Sequence, residues 1–132
     1  MSASVTAAVA LGSGLGSLLR YTIGLWLGQP LLSQFPWATL TVNMLGSLLI
    51  GWITGVQLPA EHWFNSAVCR QFMVTGFCGG FTTFSVFSLE TLALLEQGRW
   101  SLAGAHIAAT LGLMMLAVIV GSALAGRYGS AR

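Results

Sequence analysis

Apolar residues fill this chain in four long runs, Val5 to Leu27, Thr39 to Val56, Ala67 to Leu95 and Leu102 to Ala125, with short connections between them. A helix needs roughly 20 mostly apolar residues to cross a hydrocarbon core. The runs therefore predict four transmembrane helices, about 5–27, 39–56, 67–95 and 102–125, in a single integral membrane domain spanning 1–132. The third run is too long for its task. As one continuous helix it would measure about 44 Å at about 1.5 Å per residue, against a core of about 30 Å.

Its internal pattern accounts for the excess. Residues 76–88 read Gly-Phe-Cys-Gly-Gly-Phe-Thr-Thr-Phe-Ser-Val-Phe-Ser, uncharged, glycine-rich and dense in hydroxyls. In hydrocarbon every backbone amide needs an internal partner, so such a stretch survives only where it is buried in protein or lines a wet cavity. The third helix is predicted to break mid-membrane near Gly79-Gly80, and this run marks the working region. After the break Phe84 and Phe87 stand three apart, as do Ser85 and Ser88, placing rings and hydroxyls on adjacent helical faces. Phenylalanine at this spacing commonly serves packing. The interleaved hydroxyls favour a polar-lined path, because lipid would satisfy none of them.

Composition removes the soluble alternatives: 55% of residues are hydrophobic, 6% are charged, and there is neither lysine nor aspartate. A formal charge of +2 is too small for a nucleic-acid surface. The first run carries only Arg20, near its far end, with no basic region ahead of it; it is expected to stay as a helix and not to be cleaved as a leader. Cys69 and Cys78 have no metal-ligand or redox spacing and read as small apolar filler.

Charge also bears on topology. Four spans put both termini on one side with Arg70, Arg127 and Arg132, leaving Arg20 and Arg99 on the other. So even a distribution sets orientation weakly. A chain that inserts both ways, with helices too few to surround a polar pathway alone, suggests an antiparallel, dual-topology homodimer.

Gly12-Ser13-Gly14-Leu15-Gly16-Ser17 has no strand before it and no acid about 20 positions later, so it reads as a close-packing motif and not a dinucleotide loop. Gly46, Ser47, Gly51, Gly112 and Gly121 read the same way. Arg20 either snorkels to the headgroups or turns into a watery vestibule. Pro36-Trp37 opens the second span, and Asn43 within it either bonds a neighbouring helix or faces the path. Glu90, the only acid inside a run, can cap, pair with an arginine or guard a mouth. His106 and Thr110 share a face of the fourth helix, and a lone histidine there is more often a satisfied bundle residue than a metal ligand.

No nucleophile with its base, phosphate loop or carboxylate pair is present, so an enzyme has no residues to act with. There is no intramembrane lysine or acid pair for a pump. What remains is a neutral, donor-rich track of Asn43, Thr82, Thr83, Ser85, Ser88 and Thr110 with aromatic edges beside it, which favours an anion. A neutral lining also lets the ion leave.

These residues closely resemble the CrcB, or Fluc, fluoride channel family. The likeness runs through Leu19-Arg20-Tyr21, Pro36-Trp37-Ala38-Thr39-Leu40-Thr41-Val42-Asn43 and the stretch from Gly76 to Glu90, and covers essentially the whole chain. It implies a bacterial plasma-membrane channel that exports fluoride passively and relieves its toxicity. The subunit would have four helices and form an antiparallel dimer in the lipid bilayer, with two fluoride pores and a central structural sodium ion. By position, Phe84 and Phe87 resemble the pore-facing phenylalanines, Asn43 the pore asparagine and Arg20 the vestibule arginine. Ser85 and Thr110 fall on the polar track beside Thr83, and Glu90 closes the signature. The carbonyls of Gly79 and Thr82 resemble the sodium ligands. Ala38 replaces a usual glycine, His106 occupies a pathway position where an aromatic hydroxyl is common, and Met114 one where another hydroxyl occurs. Two rivals weaken on inspection: a small multidrug transporter needs an acid in its first span, and an assembly subunit leaves the hydroxyl and phenylalanine run unexplained.

Overall fold

A computed structural model of the chain describes residues 2–28, 35–59 and 61–129, the last three by backbone alone. Of the arginines that bear on topology, Arg132 lies outside the described residues and Arg127 is described only in its backbone.

The molecule is all-helical, and four of its helical stretches are long and apolar enough to cross a membrane. Helix α1 is Ala3–Leu27 and α2 is Trp37–Gly55. Helix α3 covers 67–81, opening as an α-helix at Ala67–Arg70, widening to a π-helix over Gln71–Cys78 and closing with Gly79–Phe81. Helix α4 is Phe84–Glu96 and α5 is Trp100–Gly129. Helices α1, α2 and α5 lie within a few residues of their runs, and α3 and α4 together occupy the third. Glycine sets two of the ends. Gly28 after α1 has φ 85° and Gly98 between α4 and α5 has φ 73°, a region that side chains with a Cβ rarely enter.

Between α3 and α4 the chain is extended, with φ −81° and ψ 161° at Thr82 and φ −151° and ψ 122° at Thr83. This is later than the glycine pair that sequence pattern pointed to. Gly79 is itself helical, at φ −64° and ψ −35°. Gly80 serves approach more than bending: a Cβ there would come within 2.5 Å of the Ser13 carbonyl oxygen. Thr83 then caps α4, its Oγ1 accepting the Val86 N–H at 3.2 Å.

Packing follows the small residues. Helix α1 lies along α3, and α2 along α5, in the two largest helix contacts. Gly12 and Gly16 face the α3 backbone, while Gly51 and Gly121 bring α2 and α5 together. Such closeness supplies dispersion and backbone contact where lipid gives no hydrophobic drive to association. Gly14 and Gly112 face open space, so these two expected packing glycines make no contact within the subunit.

Helix α2 is central: 50% of its span is buried, against 11% for α1. Its buried face carries Thr39, Asn43 and Ser47, four residues apart in turn. Helix α5 turns His106 and Thr110 inward, and α4 contributes Phe87 and Glu90. Leu11, Leu18, Trp26 and Ile119 point outward. A polar interior under an apolar exterior is the arrangement a bilayer permits.

Candidate functional site

Asn43 organises the junction between α3 and α4. Its Oδ1 accepts the Thr83 N–H at 2.8 Å and its Nδ2 donates to the Thr83 carbonyl at 3.0 Å. In an unbroken helix the Thr83 N–H would serve the carbonyl four residues back, that of Gly79. Asn43 therefore diverts it and leaves the Gly79 carbonyl without that partner. The Gly80 carbonyl is covered, by Ser17 Oγ at 3.3 Å and Arg20 Nε at 3.2 Å. Ser13 Oγ lies 3.4 Å from the Gly76 carbonyl, so α1 lends donors to the helix beside it.

Two cavities flank Thr83. One, of about 240 Å³, is bounded by Arg20, Tyr21, Thr39, Thr83 and Glu90 among others. The smaller, of about 70 Å³, is bounded by Asn43, Thr82, Thr83, Phe84, Phe87 and Thr110, with Leu111 and Met114. Arg20 thus reaches inward from α1 instead of running along the outer surface, and it shares its cavity with the carboxylate of Glu90.

Behind the smaller cavity runs a line of buried polar groups. Thr39 Oγ1 donates to Glu90 Oε1 at 2.9 Å. Glu90 Oε2 faces His106 Nε2 at 3.7 Å, and Thr110 Oγ1 lies 3.4 Å from His106 Nδ1. Two rings enclose the imidazole: Phe87 with centroids 4.9 Å apart, and Phe35 edge-on at 5.6 Å. Of the roles open to Glu90, pairing with arginine is not the one found; its near partners are Thr39 and His106.

Most of the sequence-predicted residues come together here. Asn43, Thr83, Phe84, Phe87 and Thr110 share the small cavity, His106 backs it, and Arg20 lies on the far side of Thr83. Ser85 is exposed, 3.3 Å from Thr83 Oγ1, and borders neither cavity. Gly79 is exposed on the subunit surface and Thr82 is half-buried. Within the subunit Phe87 is buried, whereas Phe84 is 74% exposed. Among the described residues no three or more His, Cys, Asp or Glu side chains gather where they could hold a metal ion.

Thr39 was not singled out by sequence pattern, although it is the donor that fixes Glu90. Its position four residues before Asn43 was the available signal, since both then lie on one face of α2.

Four membrane-spanning helices with a buried, hydroxyl- and amide-lined interior define a multi-pass membrane protein built around an internal polar track. Comparison with known proteins makes this specific. The family described as "CrcB-like protein, Camphor Resistance (CrcB)" matches residues 7–122, and the chain belongs to that family. It is similar to proteins named fluoride-specific ion channel FluC from Rhizobium meliloti, at 47% identity, and Rhizobium johnstonii, at 46%. Each match covers 88% of this chain and 91% of the relative. A relative named fluoride-specific ion channel FluC 1, from Nitrobacter hamburgensis, is 46% identical over 86% of this chain and 89% of its own.

Proposed function

We infer that the protein is a fluoride-selective channel of the bacterial plasma membrane, a passive pore and not an enzyme, through which fluoride leaves the cell. The observation that carries this reading is the small cavity bounded by Asn43, Thr82, Thr83, Phe84, Phe87 and Thr110 with Leu111 and Met114, largely apolar in surface and without a charged side chain, into whose wall the amide and hydroxyl residues are set. An amide nitrogen has two hydrogens. One of those on Asn43 is taken by Thr83, and the second is free to reach an ion. Ring edges of Phe84 and Phe87 carry partial positive charge and suit a small anion. Selectivity for a strongly hydrated ion comes from replacing its water with such close donors in a narrow path. The identity with the FluC relatives points the same way.

The assembly that fits is an antiparallel, dual-topology homodimer with two pores. Phe84, 74% exposed at the rim of the small cavity, lies on a surface that a second subunit would cover, bringing its ring beside the path. The extended residues Thr82 and Thr83 then form a break in the third span at mid-membrane depth. Carbonyls of Gly79 and Thr82 would hold a structural sodium ion between the subunits. The fit has a local cause, because Asn43 takes the N–H that Gly79 would otherwise bind. A carbonyl left without a partner is costly in hydrocarbon, and a hard monovalent cation prefers oxygen ligands of this kind.

Purified protein in liposomes tests the reading. A fluoride gradient should collapse far faster than a chloride gradient of the same size, and equal permeability to both ions would overturn it.

A further inference from the structure

Two buried side-chain atoms find no hydrogen-bond partner among the described residues, Glu90 Oε2 and His106 Nε2, and they face each other at 3.7 Å. His106 is fully buried and Glu90 is 8% exposed. Their remaining polar atoms are engaged by Thr39 and Thr110. Thr39, Glu90, His106 and Thr110 thus form one chain of side chains from α2 through α4 to α5. Glu90 borders the Arg20 cavity, and Thr110 borders the cavity of Asn43 and Phe87. Most buried polar atoms in native proteins are paired, and two exceptions that face each other call for a physical account.

We propose, resting on the channel reading, that Glu90 and His106 together form a proton-binding site on the fluoride pathway, and that the proton held there sets the charge the ion meets beside Phe87. A proton arriving from water in the Arg20 cavity adds to a lone pair on Oε2 or Nε2 and leaves by the same route, with no other bond made or broken. Without it, a carboxylate beside a neutral imidazole carries one net negative charge. With it, the pair is neutral. The negative state repels fluoride across a low-dielectric wall only a ring thick, since Phe87 packs on His106. Protonation at lower pH removes that repulsion, so conduction rises as pH falls.

The groups facing the pair leave this sign intact. Helix α1 presents Arg20 and Tyr21 to the cavity of Glu90. Helix α2 presents Thr39 and Asn43, and the segment before it presents Phe35. Among the described residues α4 and α5 add no other titratable side chain to either cavity. The Arg20 guanidinium borders the same cavity and offsets part of the charge of the carboxylate.

The test is fluoride efflux from liposomes with equal pH inside and out, between about 6 and about 8, where histidine-linked sites titrate and fluoride remains ionised. Wild-type flux should rise about tenfold toward the lower pH, the effect of cancelling one nearby charge. His106→Gln and Glu90→Gln should flatten the profile, whatever their absolute rates. A flat wild-type profile, or an unchanged slope in both variants, overturns the proposal. Should the variants fail to fold, nitrogen NMR of labelled histidine decides on the otherwise wild-type channel, with His62→Gln assigning the second signal. A His106 resonance indifferent to pH across this range overturns the proposal, and one that moves with the flux supports it. Substantial but pH-independent flux leaves the channel reading standing, whereas no fluoride flux at any pH removes both.

Discussion

Asn43 grips the main chain of Thr83 at both polar atoms, accepting its N–H at 2.8 Å and donating to its carbonyl at 3.0 Å. A neutral amide offers donor and acceptor side by side in a plane, so it can bond both the N–H and the carbonyl of the extended Thr83. The residue that opens the backbone is thereby also the one that lines the cavity beside it.

Asn43→Asp keeps the shape and loses the donor. A carboxylate oxygen would then face the Thr83 carbonyl, acceptor against acceptor, at a cost of about 1–3 kcal/mol in stability. If ionised it would also repel an anion in the adjoining cavity. Fluoride flux should be nearly abolished, and thermal unfolding in detergent should begin at lower temperature. Asn43→Ser should weaken both properties less. Wild-type flux in an aspartate protein whose carboxylate is shown to be ionised would place Asn43 off the path.

Phe84 and Phe87 should respond differently to isoleucine. Phe87 is buried against His106, so Phe87→Ile removes a ring edge and leaves a misfit worth about 1–2 kcal/mol. Phe84 is exposed in the subunit, so Phe84→Ile should leave unfolding of the subunit nearly unchanged. Flux should fall in both. Undiminished flux in each, with the folded protein intact, would reduce the rings to packing.

Thr39 holds Glu90 from α2, and Thr39→Val keeps its volume while leaving Glu90 Oε1 without its donor. A cost of about 1–2 kcal/mol follows, the scale of a buried hydrogen bond inside a membrane protein. Thr39→Ser should restore most of it. A valine variant as stable as the wild type would mean that water already satisfies the carboxylate.

Much of this was legible in the sequence. Run lengths gave the four spans because the thickness of the hydrocarbon core fixes the number of apolar residues. Asn43, Phe87, His106 and Thr110 stood out because polar or aromatic groups inside such runs need partners. The position of the extended residues did not follow from composition. Gly79 and Gly80 are flexible in principle, yet both stay helical, Gly80 packed against α1 at Ser13, while a side chain on α2 grips the extended Thr83. That decision lies between helices, where local pattern has no view. The link from Thr39 to Glu90 was hidden for the same reason, since it joins residues 51 apart in sequence.

Dual topology makes a prediction that does not depend on ion flux. Ser2 at the start of α1 and Gln97 after α4 are both exposed and lie at opposite ends of a four-span topology, so in a single orientation each faces one side of the membrane only. A population inserted both ways shows each position to both sides. Cysteine placed singly at Ser2 or Gln97, on a background of Cys69→Ser and Cys78→Ala, should react with an impermeant maleimide added outside intact cells. A comparable fraction should react only once the inner face is opened. The proposed sodium ion requires the Gly79 and Thr82 carbonyls of two such oppositely oriented subunits to meet. Labelling of each site from a single side would remove the antiparallel dimer, and the shared ion would lose the symmetry that brings its ligands together.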